Sequence, residues 1–280
     1  MKLGNNNSIT KELTYERVIN IIRLQKSANR DKKFLIVEGK QDKKLLKSFF
    51  HEDVNIEESY SGKMGLYKII EKYKDEKNII GVIDRDYEIR QEFQEEYKKI
   101  FFYDYNSMEI MIINCDEVFE NLCNEYCNNN FKDLRKRIFS DLKYLSIIRK
   151  TNIENSWELN LRKLSIQNCY EEGRLDKLKI IAEIEKRKEN QSKIDTEYIE
   201  QKYKEEWMNE DYLLFTRGHD FLKLFQIISN ENNVKSRLNI EDIESSLRVS
   251  YRMEDFMKTS LFRKIKKYES EQDIKFLKEG

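Results

Sequence analysis

Proline is missing from the 280-residue chain, and glycine occurs only eight times. Pro/Gly-rich linkers are thereby excluded, and a helix-rich chain with short connections is expected. Cysteine is scarce too: Cys115, Cys123, Cys127 and Cys169 form no C-x-x-C pair, and two histidines cannot complete a Cys/His zinc site with them. Buried free thiols are the expected state of these four. Neither sign of charge is in excess, with 52 Lys and Arg against 52 Asp and Glu. A global electrostatic attraction to a polyanion is therefore absent, and any nucleic-acid site must come from local segregation of charge. No apolar run approaches the ~18 residues of a membrane span, and Met1 to Thr14 are polar without an apolar signal segment. A soluble, cytoplasmic protein is the expectation.

Hydrophobic residues make up 39% of the chain, enough for a substantial core, and charged residues 37%. The length suits one large domain or two ordinary ones. A helix is predicted over 12–29. Phe34-Leu35-Ile36-Val37 then reads as a strand buried on both faces. Asp42 can cap a helix carrying Leu45, Leu46, Phe49 and Phe50. A second strand over 54–60, a helix from Met64 to Tyr73, and a third apolar strand, Ile79-Ile80-Gly81-Val82-Ile83, follow. A charged helix over about 87–98, a strand over Ile100–Tyr103 and a helix from Met108 to Ile113 complete the alternation. This rhythm predicts right-handed βαβ units and a parallel sheet. Past about residue 115 clear strands vanish, and helices are predicted over 131–145, 157–170, 175–190, 194–208, 219–229, 240–249 and 252–268. The expected division is an α/β domain over 1–115, its core about 33–115, and a helical domain over 116–280.

Carboxylates end two of the strands. The first closes on Glu38-Gly39 and the third on Asp84-Arg85-Asp86. Ligands of an open parallel sheet bind outside the carboxyl ends of its strands. Residues two apart in an extended segment point the same way, so Asp84 and Asp86 can face one site. Three carboxylates this close are stable together only with a cation between them, and hard oxygen ligands favour Mg²⁺ or Mn²⁺. The bland alternative is a helix-start glutamate and two loop aspartates.

Phe34 to Asp42 resembles the strand-one motif of TOPRIM domains, and Gly81-Val82-Ile83-Asp84-Arg85-Asp86 resembles their D-x-D motif. Two further segments are similar to those of OLD-like TOPRIM nucleases. These are Tyr103-Asp104-Tyr105-Asn106-Ser107-Met108-Glu109, like a D-Y-x-x-x-E segment, and Arg217-Gly218-His219-Asp220-Phe221-Leu222, like a G-H-D segment. The resemblance spans about residues 33–225. It implies a TOPRIM (Rossmann-like) parallel sheet with flanking helices, followed by a mostly helical region. It further implies a Mg²⁺- or Mn²⁺-dependent endonuclease acting on DNA or RNA, tRNA included. That family contains the toxic effector subunits of PARIS-type anti-phage defence, which work with a separate ABC/AAA-type ATPase. The chain carries no G-x-x-x-x-G-K-[ST] loop, so any ATPase is a separate protein, unlike in single-chain OLD proteins.

The candidate metal ligands are Glu38, Asp84, Asp86 and Glu109, and the candidate catalytic residues are these four with His219. Glu109 is alternatively a first-turn helix acid favoured by the dipole. His219 either contacts a scissile phosphate or orients a carboxylate, or is a packed imidazole at a helix start. Lys40, Lys63, Arg135, Lys136 and Arg137 are candidate phosphate contacts. The cluster Lys132, Arg135, Lys136, Arg137, Lys143, Arg149, Lys150, and a second of Lys258, Arg263, Lys264, Lys266 and Lys267, suit a phosphate backbone. Each is equally what a solvated helix face looks like. Phe131, Phe139 and Tyr144 read as core-directed rather than base-stacking. A homodimer suits an enzyme that cuts two strands. The competing function is a catalytically inactive TOPRIM-fold regulatory or nucleic-acid-binding module. A primase or topoisomerase fits less well, because zinc-ribbon cysteines and the bulk of a strand-passage enzyme are missing.

Overall fold

The computed structural model describes residues 14–87, 98–127, 130–161, 164–186, 194–205, 207–232 and 237–279. The charged helix expected over about 87–98 falls on 88–97, outside the described residues. The chain divides into two compact units. The described part of the first comprises 14–84, 98–104 and 252–279; that of the second comprises 85–87 and 105–251.

The first unit is an α/β layer structure. Helix α1 (Tyr15–Ala28) precedes β1 (Lys33–Val37), α2 (Lys40–Leu46), β2 (Val54–Glu58), α3 (Gly62–Lys72), β3 (Ile79–Ile83) and β4 (Ile100–Phe102). The four strands form one parallel sheet in the order β2-β1-β3-β4. β1 and β3 are buried along most or all of their length, as their unbroken apolar sequence requires of central strands covered on both faces. On one face Phe34, Ile36, Ile79, Ile83, Ile100 and Phe102 pack against Val18 and Ile22 of α1 and Leu66, Ile69 and Ile70 of α3. The alternate residues Leu35, Val37, Ile80, Val82, Phe101 and Tyr103 are buried as well.

The C-terminal helices α13 (Met253–Met257) and α14 (Ser260–Gln272) belong to this unit. Phe256 stacks on Phe49 at 4.5 Å, and Tyr268 meets Phe101 edge-on at 5.8 Å. The tail beyond α14 pairs Leu277 with Phe50 in an antiparallel bridge. Glu269, buried, accepts the Phe276 and Leu277 amides at 2.5 and 2.6 Å. The unit therefore departs from the division expected near residue 115. It closes at Asp104 and recovers the last segment of the chain, through aromatic contacts between residues some two hundred positions apart. The helix expected over 252–268 is two helices, because the Thr259 side chain starts a new one by accepting the Phe262 amide at 3.0 Å.

The second unit is largely helical. It contains α4 (Met108–Ile113), α5 (Asp116–Tyr126), α6 (Phe131–Glu154), α7 (Ile166–Cys169), α8 (Lys177–Glu185), α9 (Thr196–Lys204), α10 (Asn209–Phe215), α11 (Gly218–Asn232) and α12 (Ile240–Ser250). A short antiparallel hairpin, β5 (Tyr170–Glu171) with β6 (Arg174–Leu175), was not expected from the sequence. Asn130 caps α6 by accepting the Lys132 and Asp133 amides. The stripe Leu134, Ile138, Leu142 and Leu145 is buried, and so are Phe139 and Tyr144, whereas Phe131, expected to face the core with them, is half-buried at the start of α6. Phe221 and Phe225 of α11 close edge-on around Phe119 of α5, and Phe139 lies 4.9 Å from Phe221.

Of the helix expected over 157–170, only α7 forms among the described residues, which omit 162 and 163. Ser156 and Glu158 have φ of 51° and 56°, and the Asn152 side chain clasps the Leu159 backbone at both its N–H (2.8 Å) and its C=O (3.2 Å). Cys123, Cys127 and Cys169 are buried free thiols and Cys115 is half-buried and free. No helix among the described residues is long and apolar enough to cross a membrane.

Candidate functional sites in the two units

In the first unit the sheet places two carboxylates. β1 and β3 are neighbours, with Val37 opposite Val82. Glu38 is the first residue past β1, and Asp84 the first past β3. Adjacent strands run about 4.8 Å apart. From β1 the chain crosses to β2 on one side, and β3 and β4 lie on the other, so the strand order reverses between β1 and β3. Open α/β sheets form their ligand crevices outside the carboxyl ends of strands at this reversal.

The surroundings of Glu38 are built from tight backbone. Gly62, at φ 58°, opens α3, and a Cβ there would lie 3.8 Å from Glu38 Oε1. The Glu38 carboxylate thus sits beside the positive end of an eleven-residue helix, where negative charge is favoured. Fully buried Ser59 donates to Gly62 O at 2.8 Å and lies 3.5 Å from Glu38 O, fixing the turn. Asp42 is not the cap of α2, as expected from sequence. Gly39 holds that place, and Asp42, one turn in, accepts the Gly39 amide at 3.1 Å and the Tyr103 hydroxyl at 2.8 Å. Lys40 is exposed and Lys63 half-buried.

Asp104, the aspartate of the D-Y-x-x-x-E segment, accepts the Ser260 amide (2.7 Å), the Ser260 hydroxyl (2.9 Å) and the Leu261 amide (2.8 Å). It anchors the start of α14. Nothing in the sequence signals this role, because the partner lies 156 positions away.

In the second unit the structure brings two of the named segments together. Glu109 lies in the first turn of α4, and Ser107 Oγ donates to its Oε2 at 2.6 Å. Gly218 opens α11, and a Cβ there would sit 2.8 Å from Glu109 Cβ and closer still to Ser107 Oγ and Glu109 Oε2. Only glycine permits this approach, which sets the Glu109 carboxylate against the N-terminus of a fifteen-residue helix. Asp86 has a left-handed backbone, φ 51°, which aspartate tolerates better than most residues. Buried Asn106 holds it there: the Asp86 amide donates to Asn106 O (2.8 Å), and Asn106 Nδ2 donates to Asp86 O (2.9 Å) and Leu214 O (3.0 Å).

Asp220 makes a buried bidentate pair with Arg149 of α6, Nε to Oδ2 at 2.5 Å and Nη2 to Oδ1 at 3.0 Å. The aspartate of the G-H-D segment is therefore committed to the fold. His219 is half-buried. Burial, then the Lys223 charge, and more weakly Arg217 and Arg149, hold its imidazole below the usual histidine range against an opposing pull from Asp220. The Tyr87 hydroxyl, beside these charges, is pushed above the usual tyrosine range by burial.

The basic stripe of α6 is mostly spent on packing. Arg135 reaches Asp116 and donates to Ile113 O (3.1 Å) and Asn114 O (3.4 Å), bracing the end of α4. Arg137 donates to Gly173 O and Tyr170 Oη, pinning the hairpin. Lys143 donates to Tyr203 O and Glu205 O. Lys136 is exposed. In the C-terminal cluster Lys258, Lys266 and Lys267 pair with Asp255, Glu269 and Glu271.

Among the described residues no group of three or more His, Cys, Asp and Glu side chains is gathered closely enough to hold a metal ion. A pair of carboxylates nonetheless suits Mg²⁺, which is commonly held through one or two carboxylates together with water and substrate phosphates. No protein-family model matches the chain, and no curated protein sequence matches it.

Proposed function

We propose that the chain is a divalent-cation-dependent nuclease of TOPRIM type, with Glu38 and Asp84 as the cation ligands of the sheet unit. The observation that carries this reading is the pair of carboxylates closing β1 and β3 where the strand order reverses. The sequence names Asp86 and Glu109 as further ligands, and both belong in the tests. A bound Mg²⁺ or Mn²⁺ neutralises phosphate charge, orients water and stabilises a leaving oxygen. The chain supplies hard oxygen donors for it, Glu38 beside the turn fixed by Ser59 and Gly62 and Asp84 at the end of β3. His219, held below the usual histidine range by burial and nearby cations, offers a neutral imidazole near neutral pH to contact a phosphate or orient a carboxylate.

The resemblance to OLD-like effectors extends the proposal: a toxic nuclease of anti-phage defence, acting on DNA or RNA and restrained by a separate ABC/AAA-type ATPase. The test is purified protein with Mg²⁺ or Mn²⁺ and mixed DNA, RNA and tRNA, beside Glu38→Gln and Glu109→Gln. The expected outcome is cleavage by the unaltered protein and loss in the variants; equal cleavage by all three overturns the metal assignment. A second reading is a non-catalytic binding module. It predicts nucleic-acid binding without cleavage under every metal, and no toxicity on expression with a triggered ATPase partner.

A further inference from the structure

A cavity of about 440 Å³ lies wholly within the second unit, lined by Asp86, Tyr87, Arg149, Arg217, Asn152 and an aliphatic wall of Ile153, Leu159 and Leu161. Its size falls in the range of small-ligand sites, about 300–1,000 Å³. One polar group of the lining is open to a ligand, and a second lies buried in its wall. The Arg217 guanidinium has no hydrogen bond or ion pair among the described residues. The Tyr87 hydroxyl is buried and likewise has no hydrogen-bond partner among them. A buried hydroxyl without a partner is costly, so such a group marks a place where a ligand or water completes the site.

The other polar groups of the lining are already committed. Arg149 is paired with Asp220 and donates to Leu161 O at 3.3 Å, and the Asn152 amide clasps Leu159. Among the described residues of this cluster cations outnumber anions. Arg149 consumes Asp220, which leaves Arg217, with Lys223 one turn into α11, opposed in this cluster by Asp86. Lys223 is itself held below the usual lysine range, first by burial and then by the Arg149 and Arg217 guanidinium groups, against an opposing pull from Asp220.

We propose that this cavity is a phosphate subsite: Arg217 and the Tyr87 hydroxyl hold one phosphate of a nucleotide or nucleic-acid strand, and the Ile153–Leu159–Leu161 wall receives the attached nucleoside. A guanidinium fork and a hydroxyl both donate, which suits an oxyanion with several acceptor oxygens. The apolar wall excludes a fully hydrated inorganic ion as the whole ligand. Asp86 stands at the same cavity and repels a bare phosphate, so a divalent cation strengthens binding by screening it. The cation effect rests on the nuclease reading; the phosphate contact to Arg217 does not.

The experiment is titration calorimetry of the full chain with inorganic phosphate, a 5′-mononucleotide and a short single-stranded oligonucleotide, each with and without Mg²⁺. Arg217→Gln and Tyr87→Phe are compared with the unaltered protein, all checked for unchanged melting. Arg217→Gln is expected to weaken nucleotide or oligonucleotide binding by about 10- to 100-fold, and Tyr87→Phe by about 3- to 10-fold. Nucleotide should bind tighter than phosphate. Binding of the oligonucleotide alone assigns the subsite to a strand, and binding of both assigns it to the phosphate-nucleoside unit. Arg217→Gln binding as tightly as the unaltered protein, or no binding of any of the three probes, overturns the subsite. If Arg217 dependence holds but Mg²⁺ leaves binding unchanged, the subsite stands and the cation effect fails.

Discussion

Arg149 and Asp220 show how a single pair can read as chemistry in a sequence and serve architecture in the fold. Both are buried, and their bidentate contact ties α6 to the start of α11. Removing one partner strands a buried charge, which costs about 3–5 kcal/mol. Asp220→Ala should lower urea-unfolding stability by that amount, while Arg149→Met with Asp220→Leu should recover much of it. A double variant as unstable as the single one would show that the ion pair itself is required. Gly218 makes a complementary case. Any Cβ there collides with Ser107 and Glu109, so Gly218→Ala should cost about 1–3 kcal/mol through overpacking, read from the same denaturation curves. The sequence marked Gly218 and Asp220 only as part of a short motif. Neither the collision nor the arginine partner is legible locally, because the contacts come from residues about seventy to a hundred and ten positions away.

At the scale of elements, the strands were the most legible feature. β1 and β3 are apolar without interruption, and only strands covered on both faces carry that pattern. Their terminal carboxylates could be placed at one sheet edge from the βαβ rhythm alone. The failures have local physical causes. Residues 157–161 have helical composition but are held by the Asn152 clasp on Leu159 and by left-handed residues at 156 and 158. The break before α14 is set by the Thr259 cap, a signal present in the sequence and outweighed by the apolar periodicity on either side.

Helix α11 carries a pH prediction. The His219 pKa is lower in the fold than its ordinary 6.5, so between the two values the unfolded chain binds more protons. Stability from this group is therefore fully present above about 6.5 and falls as the pH drops from there toward the depressed value. His219→Gln should flatten the stability profile over that window; an unchanged slope would place its origin elsewhere.

For the molecule as a whole, the sheet unit is discontinuous in sequence. Phe256, Leu261, Ile265, Phe276 and Leu277, all from the last thirty residues, are buried in it, and Asp104 anchors α14. A fragment of residues 1–115, the domain expected from sequence, lacks this layer and leaves Phe49, Phe50 and Phe101 uncovered. It should be poorly soluble and lack a cooperative melt, whereas supplying residues 252–280 in trans or by fusion should restore one. A fragment that melts cooperatively by itself would show the C-terminal layer to be an accessory.

The proposed nuclease requires Glu38 and Asp84, at the reversal between β1 and β3, to hold a divalent cation. Mn²⁺ binding to the full chain, followed by electron paramagnetic resonance, tests this. The expected result is saturable binding that Mg²⁺ displaces and that Glu38→Gln or Asp84→Asn each weaken by about tenfold or more. Mn²⁺ binding of equal strength in the unaltered protein and both variants would contradict it.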